Sequence, residues 1–153
     1  MESLHRNVQL IWIIQTGILA LGIGIIGYLI NLYVYHVGSL MIGGLALVIF
    51  VLGVVHSIYR YRSWEFDIQD DALFLHHGVL TLVDTSVPYV RVQHVDTQRG
   101  PLSRLVGLSN VVVYTAGSRG ADVTIPGLRP ERATELREYL RDLAIESEQG
   151  DAV

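Results

Sequence analysis

The most constraining feature of this 153-residue chain is the stretch between Arg6 and Arg60, which contains no Asp, Glu, Lys or Arg. Within it lie two almost wholly apolar segments, residues 8–30 and 37–59. Each is long enough, as a helix, to cross about 30 Å of hydrocarbon. Neither has the polar stripe of a helix packed on a soluble core, and a spanning helix satisfies its own backbone groups. We therefore predict an antiparallel transmembrane hairpin over residues 1–61.

A cleaved signal peptide is the alternative for the first segment. Its apolar run exceeds the usual 7–15 residues, and no small-x-small cleavage site follows it, which favours a retained anchor. Arg6 precedes the first span, Arg60 and Arg62 follow the second, and the connector has no Arg or Lys. The positive-inside rule then predicts a two-span protein of the cell membrane with both termini in the cytoplasm.

Three glycines of the first span, Gly22, Gly24 and Gly27, spell the G-x-G-x-x-G of dinucleotide-binding sites. That fingerprint needs a preceding strand and an acidic residue about 20 positions later, and this segment has neither. Small residues in spanning helices more often allow close helix packing. We expect the contact between the two helices, or between protomers, at two small-xxx-small pairs, which are Ala20 with Gly24 and Ser39 with Gly43.

The composition limits the chemistry of the remaining half. The chain has no cysteine, so disulfides and thiolate metal sites are excluded. All 11 basic residues are Arg, and 15 acidic residues give a net charge of -4. A general nucleic-acid binder would show a basic excess, so no nucleic-acid partner is expected.

Residues 62–145 have the pattern of a small all-β domain closed by a helix. Segments 64–68 and 90–98 alternate apolar and polar residues, and 109–115 is rich in β-branched residues. The tail changes to helical spacing, with one apolar face. We predict six or seven short strands and then one amphipathic helix, with residues 146–153 as a flexible tail. The apolar face consists of Ala133, Leu136, Leu140, Leu143 and Ala144.

Residues 87–117 carry a more specific signal. Their pieces Val87-Pro88, Arg91-x-Gln93-His94-Val95, Gln98-x-Gly100-Pro101-Leu102, Arg104-x-x-Gly107-Leu108 and Thr115-Ala116-Gly117 resemble the YdbS-like family of membrane proteins with a prokaryotic pleckstrin-homology (PH) domain. The resemblance implies a two-helix transmembrane hairpin followed by a PH-like barrel or sandwich with a C-terminal amphipathic helix.

The same resemblance implies a membrane-anchored domain with no established enzymatic activity and no cofactor. Domains of this kind tend to self-assemble, and related proteins often accompany a longer membrane protein that repeats the domain. We therefore expect membrane lipid and either a homo-oligomer or such a longer PH-domain protein as partners. The absence of Lys departs from basic-patch lipid binders, and the family defines no catalytic or ligand residues to carry over.

The histidines do not form a recognisable site. His76 and His77 are adjacent, so on a strand they point to opposite faces, and no metal-ligand spacing appears. His94, Asp96 and Ser103 make a nominal hydrolase triad, but no G-x-S-x-G elbow surrounds the serine. We predict no catalytic residue, no metal site and no small-molecule substrate, so the protein is expected not to be an enzyme.

The arginines offer two interpretations. Guanidinium groups bind lipid phosphates or a partner's carboxylates in bidentate fashion. Alternatively, some set topology and others pair inside the domain with Asp84 or Asp96. Apolar residues of the loop 99–107 similarly either cover one end of the barrel or form an adhesive surface. The candidate contact residues are Arg60, Arg62, Arg91, Arg99, Arg104, Leu102 and Leu105, with Arg119 nearby.

Two functional hypotheses follow. The first is a membrane-anchored, non-enzymatic interaction module on the cytoplasmic face, which binds a protein partner or assembles with copies of itself. The spans carry no charged residue and so offer no ion path, which agrees with an anchoring role. The second is a sensor of anionic lipid that uses the juxtamembrane and loop arginines.

Overall fold

A computed structural model describes residues 2–33, 38–117 and 122–150 of the chain. The described part divides into two compact units. One is the helical hairpin Gln9–Tyr59, and the other joins residues 2–8 to those from Arg60 onward. In the sequence analysis, residues 1–61 were assigned to the hairpin. In the structure, residues 2–8 group with the β domain.

The hairpin consists of α1 (Val8–Tyr33) and α2 (Ser39–Arg62). Only 17% of the most apolar window of α1 and 6% of that of α2 are buried. A core helix of a soluble protein would be mostly buried, so these exposed apolar surfaces require a lipid environment. The predicted connector was residues 31–36; α1 extends over its first part to Tyr33, and residues 34–37 lie outside the described part of the chain.

Seven strands among the described residues form two antiparallel sheets. The first has the order β1-β2-β3-β4 and the second the order β5-β6-β7. Their bounds are β1 (Glu2–Ser3), β2 (Glu65–Ile68), β3 (Ala72–His77), β4 (Val83–Pro88), β5 (Val92–Gln98), β6 (Ser109–Thr115) and β7 (Val123–Leu128). A 3-10 turn, Tyr89–Arg91, links the sheets, and a short helix, α3 (Pro101–Leu105), lies between β5 and β6.

The C-terminal helix α4 (Pro130–Gly150) packs on β5, β6 and the 3-10 turn. Ala133, Leu136 and Leu140 of its predicted apolar face are buried. They join sheet residues such as Phe66 and Ile125, which are also fully buried. This arrangement of two sheets and a closing helix is the predicted sandwich, although α4 continues past residue 145 to Gly150.

Two of the strands begin only after a loop or a turn. The segment that follows Gly78 does not enter β4 until Val83. Gly78 has φ +127°, and a Cβ atom on it would lie 1.9 Å from the carbonyl oxygen of Thr81, so the chain makes a tight loop here. The predicted strand 90–98 likewise starts at Val92, because the preceding residues form the 3-10 turn.

Strand β1 was not predicted, yet the segment that contains it is built into the β domain. Glu2 and Ser3 pair with Phe66 and Glu65 of β2. Leu4 and Val8 are buried, with 3% and 1% of their surface exposed.

Polar contacts fix the same N-terminal segment. The His5 N–H donates to the Gly127 carbonyl at 2.9 Å, and the Tyr61 hydroxyl donates to the Leu4 carbonyl at 3.2 Å. Arg132 of α4 donates to the carboxylate of Glu2. Residues on both sides of the hairpin therefore belong to one folded domain, which places them on the same side of the membrane.

Candidate functional site

The strand directions give the β domain two distinct ends. In the first sheet, Ser3 pairs with Glu65 and Glu65 with His76, so β1 ends, β2 begins and β3 ends at one edge. The chain passes to and from the hairpin at this edge. We call it the attachment end, defined by residues 4–8 and 60–64, and we call the opposite edge the distal end.

The second sheet is oriented in the same way. The Gly127 carbonyl accepts the hydrogen bond from His5, so β7 finishes at the attachment end. Leu128 pairs with Ser109, and Gln98 pairs with Asn110. The connector 99–108, which includes α3, therefore also lies at the attachment end.

The five predicted arginines are not brought together. Arg60 and Arg62 lie in the last turn of α2, and Arg99 and Arg104 are exposed in the connector at the attachment end. Arg91 precedes β5 at the distal end, where its carbonyl accepts a hydrogen bond from the Ala116 N–H. Seven residues of strand separate these positions, which is roughly 23 Å. Arg119 lies outside the described residues.

The predicted pairing of arginine with Asp84 or Asp96 is not found among the described residues. Asp84 instead contacts His76, with 2.7 Å between Oδ1 and Nδ1, and Asp96 lies 3.9 Å from the His94 ring nitrogen. These carboxylates have histidine neighbours two residues away or directly across the strand pair. Arg91 and Arg104 are exposed and remain candidates for contact with a ligand.

The connector residues divide between the two predicted roles. Leu105 has 80% of its surface exposed, whereas Leu102 is half-buried. Ser103 and Leu108 of the same connector are buried, and the Leu108 N–H donates to the Ser103 carbonyl at 2.8 Å. Leu108 therefore helps to close this end of the domain, while Leu105 is available to an external surface.

The histidine rings are used in local contacts. His77 stacks on Trp64 with ring centroids 5.4 Å apart, and His94 stacks on Tyr114 at 4.2 Å. Ser103 lies in α3, on a different element from His94. No group of three or more His, Asp or Glu side chains able to hold a metal occurs within the described residues.

The distal end is closed by Tyr89, which is fully buried in the 3-10 turn. Its hydroxyl donates to the Gln69 carbonyl at 2.8 Å, and its N–H donates to the Asp71 carbonyl at 3.3 Å. Burial, with smaller effects from Tyr139 and the acidic residues of the nearby turn, raises the pKa of Tyr89 to about 12. Tyr89 therefore remains neutral at physiological pH and acts as a structural hydrogen-bond donor.

A groove between β5 and α4 was missed by sequence reasoning. It encloses about 140 Å³ and is lined by Val92, Gln93, Val95, Arg141, Ala144, Ile145 and Glu148. Among the described strands β5 pairs only with β6, so its other edge has no strand partner there. The available signal was Ile145, an apolar residue next to the predicted helix face that the closing role of α4 does not need.

The hairpin residues predicted to pack differ in their surroundings. Ala20 is buried, and a Cβ atom on Gly24 would lie 3.4 Å from the Ala46 Cβ of the facing helix. A Cβ atom on Gly43 would meet nothing within 4 Å, so Gly43 is not at the close helix contact. With Ser39 it lines an apolar groove of about 620 Å³ on the hairpin. Packing of this groove between protomers stays a prediction.

A close approach of the two helices at Gly53 was not predicted. A Cβ atom on Gly53 would lie 1.9 Å from the Thr16 Cγ2, so only glycine fits at this position. The Thr16 hydroxyl donates to the Trp12 carbonyl at 2.9 Å, and the Ser57 hydroxyl donates to the Gly53 carbonyl at 2.8 Å. Both hydroxyls are thus satisfied within their own helices, as a lipid environment demands.

Comparison with known proteins agrees with this architecture. A family model described as a bacterial PH domain matches residues 11–144, which include most of both helices and of the β domain. The chain is similar to the UPF0699 transmembrane protein YdbS of Bacillus subtilis (strain 168), with 31% identity over 108 residues. The aligned region is 67% of this chain and 66% of the relative, so the chain spans just under two thirds of that protein's length. No solved structure matches the chain.

Proposed function

The chain belongs to the bacterial PH domain family, and on that premise we propose that it is a membrane-anchored, non-enzymatic module whose PH-like domain binds a protein in the same membrane. The partner is either a second copy of the chain or another membrane protein that carries a related domain. With the positive-inside rule, the domain lies on the cytoplasmic face.

The observation that carries this proposal is the groove that Val92, Gln93 and Val95 form with α4, on a strand that has β6 as its one partner among the described strands. An unpaired strand edge presents backbone N–H and C=O groups that an extended peptide can complete as an additional strand. Val92, Val95 and Ile145 give the groove an apolar floor, and its volume of about 140 Å³ suits one apolar side chain of such a peptide. Backbone pairing supplies affinity, while the pocket selects the side chain.

The charges that flank the groove favour one direction of binding. Arg141 and Glu148 both line it and are seven residues apart on α4, which is about 10 Å along the helix. A segment with an acidic residue near Arg141 and a basic residue near Glu148 would be complementary to them. Because the partner shares the bilayer, tethering raises its effective concentration, and a small contact suffices.

The test uses the full-length protein, cross-linked in its native membranes and then purified in mild detergent. We expect a cross-linked adduct with the wild type and its loss with Ile145→Arg, which places a charge on the apolar floor. Tyr139→Arg is the matched control, because Tyr139 is exposed on the same helix but does not line the groove. The proposal fails if the wild type is strictly monomeric with no co-purifying partner, or if Ile145→Arg cross-links as well as the control.

The mass of the adduct separates the two kinds of partner. A multiple of the chain mass of 17.0 kDa indicates self-assembly. Any other mass indicates a different membrane protein, which peptide sequencing identifies.

A second candidate function is recognition of anionic lipid, and the position of four arginines favours it. Arg60, Arg62, Arg99 and Arg104 all belong to the attachment end, at which the chain enters and leaves the hairpin. Each cation near an anionic leaflet contributes about 1 kcal/mol. Arg91 lies at the distal end and is therefore not part of this group of arginines.

Lipid selectivity is measured by the lipids that remain with the full-length protein after mild extraction into nanodiscs. We expect Arg99→Gln combined with Arg104→Gln to reduce the retained anionic fraction, and Arg91→Gln to leave it unchanged. Equal anionic fractions in all three proteins would eliminate this function, as would a wild-type fraction equal to that of the bulk membrane.

A further inference from the structure

Among the described residues of the β domain, the most exposed large apolar side chain lies in the loop between β3 and β4, residues 78–82. Leu80 has 96% of its surface exposed and Leu82 has 76%. The sequence of this loop, Gly-Val-Leu-Thr-Leu, contains no charged residue. Leu73 and Leu75 of the preceding strand are by contrast fully buried, so the apolar loop is not an extension of the core.

The strand register places this loop at the attachment end. Glu65 at the start of β2 pairs with His76, and His77 stacks on Trp64 with an interplanar angle of 13°. Trp64 follows α2, whose last residue is Arg62. The loop therefore begins level with the point at which the chain leaves the second helix and continues away from the sheet.

The loop is separated from the predicted membrane boundary by short stretches of chain on either side of the His77–Trp64 contact. Leu80 lies three residues beyond His77, so the chain between them can span at most about 10 Å. Apolar groups that enter a membrane interface are buried about 5–10 Å deep, in the boundary between head groups and acyl chains. The second predicted span ends at residue 59, so Trp64 and this boundary are separated by only a few residues.

The conformation of the loop is restricted by contacts within the protein. The positive φ of Gly78 and the close approach of the Thr81 carbonyl restrict its conformation. The nearest charge along the chain, Asp84, is held by His76 at 2.7 Å. The two leucines are therefore presented from a restricted turn whose nearest carboxylate is engaged by a histidine.

We propose that Leu80 and Leu82 insert into the interface of the bilayer that the hairpin spans, so that the PH-like domain is docked on the membrane as well as tethered to it. Docking at the attachment end points the distal end away from the bilayer. This proposal depends on the transmembrane hairpin and is independent of the groove beside β5.

The chain lacks cysteine, which allows a single label to report on the loop. Full-length Thr81→Cys carries an environment-sensitive fluorophore between the two leucines, and the protein is placed at one copy per nanodisc with shallow nitroxide lipids. Asp70→Cys, in the turn between β2 and β3 at the distal end, is the matched control. We expect about threefold stronger lipid quenching at position 81 than at position 70, because only position 81 lies at interfacial depth.

Replacement of the leucines tests their role. Leu80→Asp with Leu82→Asp should lower the quenching at position 81 to the level of position 70, and Leu80→Ser with Leu82→Ser should do so without added charge. An unchanged melting temperature verifies that these exposed substitutions leave the domain folded. Equal quenching at positions 81 and 70 in the wild type would overturn the proposal. Quenching at position 81 that persists in both double variants would also overturn it.

Discussion

Gly127 lies directly against Val8: a Cβ atom built on Gly127 would stand 2.5 Å from the Val8 Cβ. Gly127 has φ +67°, and its carbonyl accepts the hydrogen bond from His5. The end of β7 is thus closed against the residue at which α1 begins.

The first prediction concerns this contact. Gly127→Ala should destabilise the domain through its positive φ, at about 1 kcal/mol, and through overpacking against Val8, at about 1–3 kcal/mol. Gly107→Ala is the control, because Gly107 has a similar φ of +69° but open space around it. Thermal unfolding of the full-length protein in detergent should therefore show a clearly larger loss for Gly127→Ala. Equal losses would mean that the contact with Val8 is not formed.

The second prediction concerns Leu4, which precedes the first span yet is buried in the β domain. Leu4→Ala should lower the free energy of unfolding by about 2–5 kcal/mol, as for other buried leucines. Leu105→Ala, at a highly exposed position, should change it by no more than about 0.5 kcal/mol. Chemical denaturation in micelles distinguishes the two variants. If the Leu4→Ala protein were as stable as the Leu105→Ala protein, the N-terminal segment would not be packed in the domain.

A third prediction addresses the contact of Arg132 with Glu2. This ion pair raises the pKa of Arg132, but both side chains are partly exposed. Glu2→Gln should therefore cost less than about 1 kcal/mol, and the difference from wild type should shrink as salt is added. Glu146→Gln, on an exposed part of α4, serves as the reference. A large, salt-independent loss would show that the pair is more deeply desolvated than its exposure indicates.

The fourth prediction follows from Tyr89. Its pKa is about 12 in the folded domain, against about 10 for an ordinary tyrosine, so the folded protein holds this proton more tightly. The corresponding stability is present below pH 10 and is lost as the pH rises toward 12, by at most about 3 kcal/mol.

The matched variant is Tyr89→Phe. It should cost about 1 kcal/mol at pH 8, because the Gln69 carbonyl loses its donor. Its stability should then fall less steeply than that of the wild type between pH 10 and 12, as followed by thermal unfolding. Identical slopes for the two proteins would contradict the assigned shift.

The fifth prediction is the orientation in the membrane. Ser39→Cys, beside the connector, should react with an impermeant maleimide in intact cells, and Gln149→Cys, at an exposed position of α4, should react only after permeabilisation. The absence of native cysteine removes background labelling. The reverse pattern would place the β domain outside the cytoplasm and contradict the positive-inside assignment.

The sequence predicted the elements whose signal is local. The charge-free run gave the hairpin, and the spacing of Ala133, Leu136 and Leu140 gave the buried face of α4. Strand β1 was missed because two residues are too few for a periodic pattern and their partner, Phe66, is distant in sequence. A strand of that length is recognisable only from the sheet that it completes.

The spatial grouping of the candidate residues could not be predicted from the sequence, because proximity in sequence is not proximity in space. Arg91 and Arg99 flank one strand, and a strand separates its ends. Gly43 was predicted to pack between the two helices or between protomers, and the contact between the helices includes Gly53 with Thr16 but not Gly43. Spacing identifies residues able to pack, but the relative register of two helices decides which of them meet.

The pairing of β1 with β2 also dictates an order of events during synthesis. Ser3 leaves the ribosome about sixty residues before Glu65, a delay of about 3–12 s at usual elongation rates. The intervening chain must enter and recross the bilayer before the two segments can meet. If only one of the two helices were inserted, Glu2 and Ser3 would lie on the opposite side of the membrane from β2. Pairing of β1 with β2 therefore requires that both helices have been inserted.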